Sequence, residues 1–521
     1  MWRGLAMAAL LAGAAFLTGA ARAEPPKSAI NWLSESLLQP PNFVISPPGR
    51  TGYSLPTPIT SMPLEMVSRD AAGLLPPAVT GFPNAIWGNL PAADAARLIT
   101  EMGPSALPAA ASLFKQVLLA QSDPPQNAGP DGALFLARID TLFAMGALDE
   151  AEALIQLAGV QEPEIFRRWF EIGLIGQRTD APCAALRARP SLSDDVATRT
   201  ICLARAGDWN AAAITVSLAE SLGQITLEDG DLLVRFLDPE MFADLPDAGN
   251  PDPLDPITFT LREALVLPRP EAPLPLPYLN TDLTLHTPAR QRILAAERLV
   301  RASAIPPNLL FAAYRGARAA SSGGVWGRAE LVQALDAALI SEDDARLAAA
   351  ITSAMVGFAG ANLLTALADE FADTLAHFPP APETGQIAPR IRRLLLLAGR
   401  PMAQWANLGR ADPPLVQFAI RLASNTPIEG ISPYADPLPE AIHLAFANLT
   451  PPQQDLPQWL EKIEAGNFAE GLLHALSLLA NGRDSDPKNL HKGLYLLRKL
   501  DMEAAARRVA IQLLLIEPEP A

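Results

Sequence analysis

The stretch Leu142-Phe143-Ala144-Met145-Gly146-Ala147-Leu148-Asp149-Glu150-Ala151 reads as the end of one helix, a tight reversal and the start of a second. Two further stretches share the pattern: Leu203-Ala204-Arg205-Ala206-Gly207-Asp208-Trp209-Asn210-Ala211-Ala212 and Leu496-Leu497-Arg498-Lys499-Leu500-Asp501-Met502-Glu503-Ala504-Ala505. In the first two, Gly146 and Gly207 let the backbone reverse, whereas the third carries Leu500 at the aligned position. Leu148 and Trp209 are expected to plug the junction between paired helices. Ala151 and Ala212 are expected to let the pair approach closely. Gly176 falls between the two glycines at a similar spacing and marks an intermediate copy. One such pair cannot bury its apolar face alone, so pairs must stack.

Outward from these turns, apolar residues recur at three and four with almost no strand-like alternation, which predicts an all-α chain of stacked antiparallel helix pairs. The pattern resembles tetratricopeptide repeats, and the resemblance implies an α-solenoid that binds proteins or peptides in a concave groove. The stretch from Leu479 to Lys492 also resembles a Sel1-type repeat loop. A generic Ala-rich helical bundle is the alternative.

Proline and charge set the boundaries. Prolines number 51 of 521 residues, about double the usual share of roughly 5%. Residues 1–23 combine Arg3, an uncharged run from Leu5 to Leu17 and Ala21-Arg22-Ala23, which is the order of a secretory signal peptide cut after Ala23. Residues 24–128 are a Pro-rich N-terminal region with short helices at Ser28–Leu38, Ala92–Glu101 and Pro108–Gln121, pinned by Trp32, Phe43, Tyr53, Phe82 and Trp87. Residues 129–237 hold the helical repeats. Residues 238–285 contain ten prolines and read as a stiff, extended linker exposed to proteolysis, with one helix at Thr258–Leu267. A helical domain over 286–425 and C-terminal helical repeats over 426–521 follow. The uncharged run from Leu347 to Ala368 is mostly Ala with two glycines, and is expected to be a buried helix broken near Gly360 rather than a membrane span.

The formal charge is −16, and signal cleavage would remove two further positive charges. Such a surface repels phosphate backbones and anionic lipid, which argues against nucleic acid and electrostatic membrane docking. No membrane span is expected after cleavage. Cys183 and Cys202 are expected to be level on neighbouring antiparallel helices, Ala181–Ala188 and Asp194–Ala206, and to form a disulfide; two buried free thiols are the alternative.

No catalytic, cofactor or metal site is read. His286, His377, His443, His474 and His491 sit in no zinc-hydrolase motif, and are expected at the surface or as caps. Phosphate-loop, dinucleotide and nucleophile-elbow motifs are absent from the sequence. Asp484, Asp486 and Asn489 lack the glycine and distant Glu of a calcium loop. Asp194-Asp195 and Asp343-Asp344 are expected to cap helices. Glu162, Glu164 and Glu171 with Arg167 and Arg168 look like a solvated helix face. These features predict a non-enzymatic periplasmic scaffold or adaptor in a Gram-negative envelope, holding a protein or peptide partner. The alternatives are an envelope enzyme acting on cell-wall material and a structural part of an export or secretion assembly.

Overall fold

The computed structural model describes residues 68–247, 249–318, 323–341, 343–377, 387–400, 412–429, 433–447 and 456–516. The expected signal peptide, the helix expected at Ser28–Leu38 and the aromatics Trp32, Phe43 and Tyr53 lie outside these residues.

The described chain is all-α. After one helical turn at Pro77–Thr80 come α1 (Ala92–Thr100) and α2 (Pro108–Leu119). Next are α3 (Ala133–Ala144), α4 (Leu148–Ala158), α5 (Pro163–Ile175), α6 (Asp180–Ala188), α7 (Val196–Arg205), α8 (Trp209–Ser221), α9 (Leu227–Leu237) and α10 (Pro256–Ala264). The second half holds α11 (Ala289–Arg301), α12 (Pro307–Arg315), α13 (Val325–Ile340), α14 (Asp344–Ala359), α15 (Leu364–Ala376), α16 (Ala388–Ala398) and α17 (Pro414–Ala423). The last five are α18 (Pro437–Ala447), α19 (Leu456–Glu464), α20 (Phe468–Leu479), α21 (Pro487–Lys499) and α22 (Glu503–Leu515). Among the described residues, extended pairing is limited to two isolated bridges, Leu75 with Ala120 and Pro91 with Gln126. No helix among them is long and apolar enough to cross a membrane. The run from Leu347 to Ala368 is divided between α14 and α15, with the chain reversing at Asn362.

One turn recurs through the described residues. At Gly146 the backbone enters the left-handed region, its N–H donates to Phe143 O, and the next N–H, of Ala147, donates to Leu142 O. This is the Schellman closure of a helix, which satisfies carbonyls the helix cannot pair internally. The same pair of hydrogen bonds around a left-handed residue occurs at Gln177, Gly207, Gly223, Val266, Ser303, Asn362, Gly399, Asn425, Gly466 and Asp501. The equivalent of Gly146 in the second pair is therefore Gln177 rather than Gly176, whose own φ is −77°. In the C-terminal pair it is Asp501 rather than Leu500, because Arg498 and Leu497 supply the accepting carbonyls. Aspartate and asparagine tolerate this region because their short polar side chains bond locally.

Two glycines separate the cost of the turn from the cost of packing. A Cβ at Gly146 would lie 2.9 Å from Leu299 Cδ2 and 3.3 Å from Leu276 O, whereas one at Gly207 would meet nothing within 4 Å. Gly207→Ala is expected to lose only the left-handed penalty, about 1–2 kcal/mol. Gly146→Ala should lose about 1–3 kcal/mol more, because its neighbours must also shift. Thermal midpoints of the two variants check this; equal losses would contradict the packing difference.

Among the described residues, both proline-rich regions pack into the core. Phe82 and Trp87 are buried, and the Phe82 ring lies 5.3 Å from Phe468 of α20. Ala106 N donates to Ala480 O (2.7 Å), Ala469 N to Ile86 O (2.7 Å), and Ala109 N to Gln512 Oε1 (2.8 Å). Helix α2 thus packs against α20 and α22 as well as α3. Residues 238–285 carry the expected helix, as α10, and a 3-10 stretch, Leu276–Leu283, but they pack against the helices rather than forming an exposed connector. Phe259, Leu274, Tyr278 and Leu279 are buried there, with the Phe259 and Tyr278 rings 4.7 Å apart. Arg262 bonds Asp247 and Asn250, Arg269 bridges Glu263 and Asp282, and Asn280 Nδ2 donates to Gly146 O. Prolines remove backbone donors, so these aromatic contacts and side-chain bonds hold the segment.

Candidate interaction surface

The pair α7–α8 is set on its neighbour by covalent and ionic links. Asp195 caps α7 by accepting from Thr198 N (2.7 Å), and Asp208 caps α8 by accepting from Ala211 N. Cys183 of α6 and Cys202 of α7 form a disulfide with a Cα–Cα distance of 5.1 Å. The tight turns at Gln177 and Gly207 define the pairs as α5–α6 and α7–α8. The bridge therefore joins consecutive pairs, rather than stapling one hairpin as its sequence register suggested. Closing a loop of this length contributes roughly 3 kcal/mol by restricting the unfolded chain. Arg205 and Asp180 span the same gap at 3.0 Å.

Helix α8 packs chiefly on α7 and α9, burying Ala212, Val216 and Ala219. Its opposite face is also apolar and is left in solvent. Ile214, Leu218 and Leu222, each one turn apart, are 67%, 56% and 62% exposed, and Leu227 and Met241 beyond the helix are 81% and 72% exposed. Trp209 at the helix start is half exposed, its ring 6.5 Å from Phe236. Asp208, Glu220, Glu228, Asp229 and Glu240 are exposed in the chain segments that flank this row, with Arg205 the exposed cation before it.

The turn residues singled out in the sequence therefore diverge. Leu148 and Ala151 are buried at the α3–α4 junction, and Gly146 is pressed against Leu299. Ala212 is fully buried, but Trp209 does not plug its junction and Gly207 is exposed. The row Ile214–Leu218–Leu222 was missed because α8 is apolar on both faces, so periodicity cannot choose which one is covered.

The remaining candidate groups have structural surroundings. Among the described residues, no cluster of three or more His, Cys, Asp or Glu side chains is placed to hold a metal ion. His286 and His377 are exposed as expected, and His377 caps the end of α15, whereas His443 is buried and His474 and His491 are half-buried. His443 is buried with Phe418 and Tyr434 each 6.3 Å away, and His474 stacks on Trp459 at 3.8 Å. Burial lowers the His491 pKa, and His377 Nδ1 lies 2.6 Å from Asp373 O. Asp343 caps α14 and Asp486 caps α21. On α5, Arg167 pairs with Glu171 and Arg168 with Glu164, while Arg69 reaches Glu162. No protein-family model, curated protein or solved structure matches this chain.

Proposed function

We propose that this chain is a non-enzymatic scaffold of the bacterial periplasm whose helix pairs, of tetratricopeptide type, hold a protein or peptide partner. The observation that carries the reading is the uncovered row Ile214–Leu218–Leu222. Contiguous apolar surface in water is costly, and such patches commonly mark interaction sites. Its one-turn spacing matches a partner helix that lays an apolar stripe along it. The acidic residues that flank the row in the chain, and the net charge of −16, favour a partner with Lys or Arg beside that stripe, since complementary charge steers encounter and rejects like-charged competitors.

The test uses the full chain as bait in envelope extract. Leu218→Asp is expected to lose the specific partner, because an anchor residue in such an interface contributes about 2 kcal/mol or more. The thermal midpoint should stay within the small change typical of exposed sites, about 0.5 kcal/mol. Unchanged recovery of every captured protein would refute the reading. The periplasmic location rests on the charge, apolar run and Ala-x-Ala order of residues 1–23, and on a disulfide that persists in oxidising compartments. N-terminal sequencing of the mature protein should begin at Glu24; Met1 retained in the extracytoplasmic fraction would contradict it.

A further inference from the structure

We propose a second, separate site: a hollow at the meeting point of α2, α3, the Leu276–Leu283 segment and α20 that binds a small, neutral, apolar molecule with one hydrogen-bonding group. The hollow has a volume of about 410 Å³. Its walls come from distant parts of the chain: Ala111 and Phe114 of α2, Thr141 of α3, Leu276, Ala302 after α11, and Leu476 of α20. Close-packed interiors leave few voids larger than a water molecule. Here small side chains at Ala110, Ala111, Ala144, Ala302 and Ala480 keep the space open where larger ones would fill it.

The lining sets the chemistry of the occupant. It is predominantly apolar, and Met102 and Met145 add flexible thioether walls that adapt to irregular shapes. The one carboxylate in the wall, Asp140, is held by Arg168 through two bonds of 2.6 and 2.8 Å, so its charge is already matched. Thr141 is buried, and its hydroxyl makes no hydrogen bond among the described residues, which leaves it available to one polar group of a ligand. A dry cavity of 150 Å³ holds benzene, so this volume accommodates about 16 non-hydrogen atoms. A medium-length aliphatic alcohol or a fused aryl amine meets these terms; an ionic headgroup would find no unmatched charge in the wall.

The full mature chain should bind 1-aminoanthracene saturably, with an enhanced and blue-shifted emission and an affinity on the order of 0.1 mM. Decan-1-ol should displace it. Ala144→Trp, at an exposed position on the rim, should weaken binding at least about tenfold, and Ala111→Phe, filling the interior, should do the same. Leu218→Asp should leave it unchanged, which separates this site from the partner surface on α8. Absence of saturable binding overturns the proposal, as does binding that survives Ala144→Trp, a variant that does not depend on repacking the core. Loss in Leu218→Asp with retention in Ala144→Trp would place the probe on the α8 face and equally overturn it.

Discussion

Arg138→Leu is expected to lower stability by about 3–5 kcal/mol, read as a fall in the denaturation midpoint with an unchanged slope. The Arg138 guanidinium is 1% exposed and donates to four backbone carbonyls, those of Leu118, Ala120, Ala72 and, at 3.4 Å, Asp70. Two of these close the C-terminal end of α2, and two belong to the segment that leads into the described fold. The Asp70 carboxylate is fully buried and accepts from Phe135 N at 2.7 Å, in the first turn of the helix that carries Arg138. Burial pushes the Asp70 carboxyl above the usual carboxylate range and the Arg138 guanidinium down to about 10. Each ion is thus held at a cost that the other offsets in part. Leucine fills the volume but leaves the carbonyls without donors and Asp70 without its countercharge. Arg138→Lys should recover only part of the loss, because one ammonium cannot reproduce the planar fork. A wild-type midpoint in Arg138→Leu would show that these carbonyls find other partners.

Glu297→Ala should cost a similar amount, about 3–5 kcal/mol, for a different reason. The Glu297 carboxylate is 1% exposed and ties three helices together. Its oxygens accept from Tyr314 Oη (2.7 Å) on α12, from Arg328 (2.8 Å, twice) on α13, and from Arg301 (2.8 Å) on α11 itself. Arg301 also donates to Ala361 O, at the α14–α15 turn. Burial, followed by the Glu297 charge, raises the Tyr314 pKa well above the ordinary phenol range, so the hydroxyl stays protonated and donates at neutral pH. Removing the carboxylate leaves a buried hydroxyl and two guanidinium groups facing an apolar methyl. The triple replacement Glu297→Leu, Arg328→Met and Tyr314→Phe should sit much closer to wild type, since the two more deeply buried partners leave with the carboxylate while the partly exposed Arg301 keeps Ala361 O and reaches water. Thermal midpoints of the single and triple variants decide it. A triple variant as unstable as Glu297→Ala would place the cost in packing rather than in unpaired charge.

The sequence carried the helices better than the turns between them. Predicted helices at Ala92–Glu101 and Pro108–Gln121 match α1 and α2 within two residues, because three-to-four periodicity survives in any one stretch. The recurring reversal did not show itself. Glycine is only one way to enter the left-handed region, and Gln177, Val266, Ser303, Asn362, Asn425 and Asp501 do so without it. Glycine therefore marks the reversal at Gly146 and Gly207, whereas in the second and C-terminal pairs the left-handed residue is Gln177, one after Gly176, and Asp501, one after Leu500.

Arg138 illustrates the limit for single residues. In Ala133-Leu134-Phe135-Leu136-Ala137-Arg138-Ile139 it is a lone cation in an apolar run, a pattern that fits a side chain reaching out to water equally well. Only the arrival of α2 and of residues 70–72 surrounds it with carbonyls.

By itself the sequence determined the all-helical class, the helix-to-helix rhythm, the capping by Asp195 and Asp343 and the pairing of Cys183 with Cys202. Each of these depends on residues within one or two helices, where periodicity, caps and rise per residue act locally. Tertiary structure decided the rest: which apolar face of α8 stays in water, that residues 238–285 pack rather than span, and that α2 reaches Gln512, 403 residues along the chain from Ala109. These depend on which surfaces meet, and a helix that is apolar on two faces, or a proline-rich segment with aromatics at irregular spacing, does not encode its partner in its own pattern.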